Sequence, residues 1–175
     1  LFYLEQAYAH CRQNGQRDEE VCYLLASAYI TQGNYPKCLD KVQELMEFGT
    51  NVSYNMAAHY YKGVALQRLG RPDQAREAYH LAVRKCRTVS LSAPGAVDSY
   101  IFRALALKEL GEYPKALELV DYVLLLAPES AEVHSAKAVI LQDMGRAEEA
   151  RLEIRATESV NKVLGAVLRA AQKGG

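Results

Sequence analysis

The sequence predicts an all-α chain, an α-solenoid of helix–turn–helix repeats, and three observations carry that reading. Apolar residues recur at helical spacing in both halves of residues 97–130: Tyr100, Ala104 and Leu107 make one stripe, and Ala116, Val120, Val123 and Leu124 make the next. Between them Leu110-Gly111-Glu112-Tyr113-Pro114 interrupts the pattern, with Gly where one helix ends and Pro where the next begins. The pattern then recurs. Gly111 and Gly145 are 34 residues apart, the period of one class of helix–turn–helix repeat.

The elements follow in order. Residues 1–15 read as a helix with Leu1, Leu4, Tyr8 and Cys11 on one stripe. This half repeat falls where the second helix of a preceding unit would be. We expect its stripe to face a helix outside this sequence, and so to pair with another copy or fray. Gln16-Arg17-Asp18 is a polar turn. The first complete unit, residues 19–52, has its turn at Gly33-Asn34 and starts its second helix at Pro36, where the missing N–H costs nothing.

The second unit covers residues 56–89. Gly33 and Gly70 are 37 apart, which places about three extra residues near positions 49–53. Gly70 and Gly111 are 41 apart, which places about seven more within RTVSLSAPGA, residues 87–96. A longer second helix and a Pro-Gly loop would absorb them. Units at 97–130 and 131–164 follow without a gap. Residues 158–172 hold Val160, Val163, Leu164, Val167 and Leu168 on one face and are expected to cap the stack, because a terminal repeat has no neighbour on its outer side. Residues 1–175 thus read as a single array.

Composition narrows the function classes. Half of the 175 residues are hydrophobic, enough to bury a sizeable core. Lys+Arg and Asp+Glu both count 21, and this balance argues against a general nucleic-acid or anionic-membrane surface. No apolar run approaches the ~20 residues of a membrane helix, and no signal peptide is visible. The chain opens at Leu1, so we expect it to be cut from something longer. Cys11, Cys22, Cys38 and Cys86 form no Cys-x-x-Cys pair and no zinc-finger spacing with His, which suits reduced thiols in a cytoplasmic protein without a metal. No catalytic Ser/His/Asp or Cys/His set and no phosphate loop is evident, so neither an enzyme nor a cofactor site is expected.

With these residues in view, the chain resembles the tetratricopeptide-repeat family. Tyr100, Ala104, Leu107, Ala116, Val120, Val123 and Pro128 occupy the motif positions of one repeat, with Arg103 in place of a Leu. Cys22, Leu25, Ala26 and Tyr29 match in the first complete unit, and Gly63, Leu66, Ala75, Tyr79 and Ala82 in the second. His59 and His134 take an aromatic place and read as packing imidazoles. Lys62, Arg103 and Lys137 recur at one repeat position, with stems that can pack and charges that can reach water, and the alternative reading is a row that grips an acidic partner. The resemblance implies a right-handed superhelix of about nine or ten helices in antiparallel pairs and a non-catalytic role in holding other proteins.

In this family the free faces of the first helices line the concave side. Here they would carry Tyr23, Ser27 and Ile30 in the first unit and Tyr60, Val64 and Gln67 in the second. The third gives Ile101, Leu105 and Lys108, and the fourth Val139, flanked by Ser135 and Gln142. The family's clamp for the C-terminal carboxylates of Hsp70 and Hsp90 needs Lys and Asn at places that hold Tyr23, Tyr60 or Ile101 and Ser27, Val64 or Leu105, so that clamp is not expected. The resemblance therefore implies a groove for an apolar or amphipathic segment of a partner protein. The alternative is a structural segment of a large assembly that self-associates through repeat ends, and burial of the apolar stripe within a tight superhelix also stays open.

Overall fold

The computed structural model describes residues 1–173, with side chains through residue 162. Among the described residues there are nine helices and no strand: α1 (Phe2–Gln13), α2 (Glu19–Thr31), α3 (Tyr35–Phe48), α4 (Val52–Arg68), α5 (Pro72–Ser92), α6 (Val97–Glu109), α7 (Tyr113–Leu126), α8 (Ala131–Asp143) and α9 (Ala147–Lys173).

One local device, also present at Gly15 after α1, closes the first helix of each helix pair. Gly33, Gly70, Gly111 and Gly145 follow α2, α4, α6 and α8 with φ between +73° and +79°, a region only glycine enters freely. After each, the next amide reaches back to close the helix: Asn34 N to Tyr29 O, Arg71 N to Leu66 O, Glu112 N to Leu107 O and Arg146 N to Leu141 O, at 2.8–2.9 Å. These bonds satisfy carbonyls that a helix end leaves open. Pro36, Pro72 and Pro114 then stand in the first turns of α3, α5 and α7. Side-chain caps complete other starts, with Asp18 accepting from Val21 N, Asn51 from Ser53 N and Ser130 from Val133 N.

The chain divides into two compact units, residues 1–102 and 103–175. In the first, α2 packs on α1, α3 and α4, and α4 packs on α5. Its core joins Cys22, Leu25, Ala26, Tyr29, Cys38, Val42 and Leu45 to Ala58 and Ala65 of α4. In the second unit α8 packs on α7 and α9. Its buried residues include Val120 and Val123 of α7, Val133, Ile140 and Leu141 of α8, and Ala150 of α9.

Two irregular stretches resolve as the glycine spacing suggested. Helix α5 runs on to Ser92, and a turn at residues 94–95 joins it to α6. Helix α4 begins at Val52, earlier than the expected start of its unit, because Asn51 caps it. Helix α9 is continuous through the expected capping segment. Of its cap stripe, Val160 is half-buried, and Val163, Leu164, Val167 and Leu168 lie outside the residues whose side chains are described.

The expectation for α1 needs correction. Its stripe does not wait for an absent helix: Leu4 and Tyr8 pack against the core of the first unit. The Tyr8 hydroxyl donates to Glu44 at 2.7 Å, and the Lys41 ammonium sits 3.5 Å from the Tyr8 ring centroid. A second helix must face the first helix of the following unit, and this stripe is that face. Phe2 and Tyr3, 65% and 82% exposed, are the large hydrophobic side chains that α1 leaves to solvent.

Candidate partner-binding face

Within the first unit, α2, α4 and the start of α6 bring together a set of aromatic rings. Tyr23 of α2 stacks on Tyr54 of α4, with centroids 4.9 Å apart and planes at 20°, and lies 6.0 Å from Tyr61. Tyr60 and Tyr61 stand 5.8 Å and 5.9 Å from Phe102 of α6. Tyr60 also leans on Tyr79 of α5 at 6.1 Å. Offset and edge-on pairs at these separations attract beyond the area they bury. Burial pushes the Tyr61 phenol well above its ordinary range, and its hydroxyl interacts with Ser27 and Tyr23.

Of the expected site residues of this unit, Tyr23 and Tyr60 are rungs of this ladder, and Ser27 meets the Tyr61 hydroxyl. Tyr23, Ser27, Ile30, Tyr60, Val64 and Ile101 are each half-buried, so each keeps an accessible edge while part of it packs inward. Gln67 is exposed, and its side-chain oxygen accepts from the Tyr79 hydroxyl at 2.8 Å. Tyr54, Tyr61 and Phe102 were absent from the expected set. The signal was present in the sequence: Tyr61 and Phe102 stand nine residues before Gly70 and Gly111, at one repeat position, and Tyr54 lies seven before Tyr61.

In the second unit Leu105 is half-buried and Val139 is 42% exposed. Lys108 is only 9% exposed, and its ammonium is held by Glu109 at 2.7 Å and Asp143 at 2.8 Å. It contributes a buried ion pair rather than an open cation.

Of the recurring basic row, Lys137 is engaged in ion pairs, whereas Arg103 keeps Nε buried without a hydrogen-bond partner among the described residues. Lys137 lies between Asp121 of α7 and Glu153 of α9, at 3.0 Å and 2.8 Å. His134 joins the same cluster, with Nδ1 2.6 Å from Glu153 and Nε2 2.9 Å from the Pro128 carbonyl. Burial alone would push the Glu153 carboxyl up, but the bonds from Lys137 and His134 outweigh it and hold it below the ordinary range. His59, at the repeat position of His134, is 6% exposed with Nδ1 unpartnered. Burial, then Lys85 and Lys62, lower its pKa, so it packs as a neutral ring.

No group of three or more His, Cys, Asp or Glu side chains among the described residues is placed to hold a metal ion. None of the described helices is long and apolar enough to cross a membrane. No disulfide joins the cysteines, and burial pushes the Cys22 and Cys38 thiols up to about 11 and about 12.

Helix pairs closed by glycine turns and packed in series within each unit define a helical-repeat scaffold of the kind that serves protein–protein interaction. The profile described as "Tetratricopeptide repeat" matches at residues 56–88 and a second of the same description at residues 103–159, and the chain belongs to the tetratricopeptide-repeat family. A thermophilic repeat protein of this family from Thermus thermophilus is similar in structure, with TM-score 0.64 and 24% identity over 97% of this chain and 86% of that one. MamA of strain AMB-1 is similar at TM-score 0.55 and 22% identity, over 91% of this chain and 90% of that one. These likenesses speak to the fold. No curated protein sequence matches the chain.

Proposed function

We propose that the chain is a non-catalytic scaffold whose aromatic face in the first unit holds an apolar or amphipathic segment of a partner protein. The observation that carries this reading is the ladder of Tyr23, Tyr54, Tyr61, Tyr60 and Phe102, whose rings are already fixed against one another. Side chains ordered before binding lose little conformational freedom on binding, which favours affinity. The half-buried edges of Ile30, Val64 and Ile101 extend the apolar character. A helix laid on such a face would set side chains at helical spacing into the gaps between rings. The Hsp70 and Hsp90 carboxylate clamp is not part of this reading, because its Lys and Asn places hold Tyr, Ile, Ser, Val and Leu. A reducing compartment such as the cytoplasm suits the unbridged Cys22 and Cys38.

A second reading, self-association through a repeat end, is favoured by the exposed pair Phe2 and Tyr3, whose rings meet edge-on at 5.6 Å. The two are separated by selecting peptides from a displayed random library on the intact chain and measuring their affinity by fluorescence anisotropy. The groove reading expects apolar or amphipathic peptides that lose roughly tenfold or more in affinity on Tyr60→Ala or Val64→Asp. It expects little response to salt, since the contacts it invokes are apolar; the charges near the ladder, Asp18, Glu19 and Glu20, stand at the Tyr54 end. Binding that survives both substitutions and collapses at high salt would contradict it. Concentration-dependent dimerisation abolished by Phe2→Ser and Tyr3→Ser, with no peptide bound, would establish the second reading.

A further inference from the structure

Elsewhere in the first unit, α3, α4 and α5 enclose a half-open groove of about 540 Å³. Its floor is apolar, made by Leu39, Val42, Leu66, Ala78 and Leu81. Lys62, Gln43, Arg71 and the carboxylates of Asp40 and Glu77 are on its walls, and the Gln43 amide donates to Glu47 at 2.9 Å.

The repeat register explains why a groove exists here. Lys62 stands eight residues before Gly70, as Lys137 stands eight before Gly145. In the second unit that lysine lies between Asp121 and Glu153, one carboxylate from each flanking second helix. Asp121 is ten residues after its turn glycine, and the same step from Gly33 gives Gln43. Glu153 is eight after Gly145, and the same step from Gly70 gives Ala78. Both places that hold a carboxylate around Lys137 therefore hold a neutral residue around Lys62, and both line the groove. Lys62 has no ion-pair partner among the described residues. The ring of His59, which corresponds to His134, has lost its carboxylate as well and keeps Nδ1 buried and unpartnered.

We propose that the groove receives this carboxylate from another molecule. The occupant is an amphipathic segment of a partner protein that sets one glutamate against Lys62 and aliphatic side chains on the half-buried Leu39 and Leu81, over a floor closed by the buried Val42, Leu66 and Ala78. Asp40 and Glu77 disfavour a run of acids, so the segment carries its single glutamate among apolar neighbours with basic residues at the flanks. This surface is separate from the aromatic face and does not depend on it.

The test uses peptides from a random displayed library, selected on the intact chain and counter-selected on the Gln43→Asp chain. That exposed substitution places a carboxylate beside Lys62 in cis, at the repeat position of Asp121. The surviving peptides are expected to carry one Glu or Asp between aliphatic residues. Lys62→Gln, or Glu→Gln in the peptide, should each weaken binding by roughly tenfold or more, and salt should weaken it too. Tyr60→Ala should leave it unchanged. Circular dichroism and thermal melting of the Lys62→Gln chain should match the wild type, because this lysine closes no ion pair. The proposal is overturned if no peptide survives the counter-selection, if the survivors lack an acid, or if their affinity is indifferent to Lys62→Gln. Loss on Tyr60→Ala would also overturn it, by assigning those peptides to the aromatic face.

Discussion

Gly63 faces the ring of Tyr79 so closely that a Cβ on the glycine would stand 2.4 Å from a ring carbon. The Tyr79 hydroxyl is fixed at its other end by Gln67, on the same helix as Gly63. The ring cannot swing aside without breaking that bond and leaving its contact with Tyr60. Gly63→Ala should therefore force α4 and α5 apart, destabilising the protein by about 1–3 kcal/mol. Urea denaturation would show a lower midpoint at unchanged slope. An unchanged midpoint would mean that the ring yields freely.

Glu153 gives a pH dependence of definite sign. Its pKa in the folded chain lies below the ordinary 4.5, so the stability it contributes is fully present above that value. That stability is lost as pH falls through the folded-state pKa. Glu153→Gln should cost about 1–3 kcal/mol at neutral pH, since Lys137 and His134 lose a shared charged acceptor. The stability curves of variant and wild type should converge in acid, where the wild-type carboxyl is protonated. Parallel curves down to the acid limit would contradict the assignment.

Much of the fold was legible in the sequence because turn and stripe repeat together. A Gly at positive φ, a Pro or polar residue just after it, and small residues at the closest approaches recur at each turn, and one local signal confirmed the next. The partners of individual side chains were less legible. The stripe of α1 pointed inward, but which neighbour it met depended on where the repeat was cut. Lys108 fell on an expected open face, yet Asp143 of α8 neutralises it, a partner 35 residues away that helical periodicity does not reveal. The aromatic ladder was half visible: Tyr23 and Tyr60 were found by register, whereas Tyr54 lies in the extra turn of α4 upstream of the repeat unit.

Glu19 ties the α3–α4 connection to the start of α2. Its carboxylate accepts from Thr50 N, Thr50 Oγ1 and Asn51 N, each at 2.8 Å. The two backbone bonds and the hydroxyl hold its pKa below the ordinary range. Glu19→Ala should release these donors, and the Thr50 and Asn51 amides should then exchange with deuterium roughly tenfold faster while core amides of α2 hardly change. Equal rates in both proteins would show that the carboxylate does not order the loop.

The cysteines should react in an order set by burial. Cys22 and Cys38 are almost wholly inaccessible, with thiols pushed up to about 11 and about 12, so at pH 8 both remain protonated. Cys11 is half-buried on α1. Brief alkylation of the native chain followed by peptide mass spectrometry should find Cys11 modified first and Cys22 and Cys38 only after denaturation. Early labelling of Cys38 would require that α3 opens readily.

The aromatic face can be watched directly through its own rings. A library-selected apolar or amphipathic peptide is titrated into the chain while the tyrosine ring signals are followed by nuclear magnetic resonance, with assignments for Tyr23, Tyr54, Tyr60 and Tyr61. The account predicts saturable shifts concentrated on those four rings and on the methyl groups of Ile30 and Val64, with the same peptide binding at least roughly tenfold more weakly to the Tyr60→Ala chain. Saturable binding that leaves those rings unmoved, with the shifts confined to other surfaces, would contradict it.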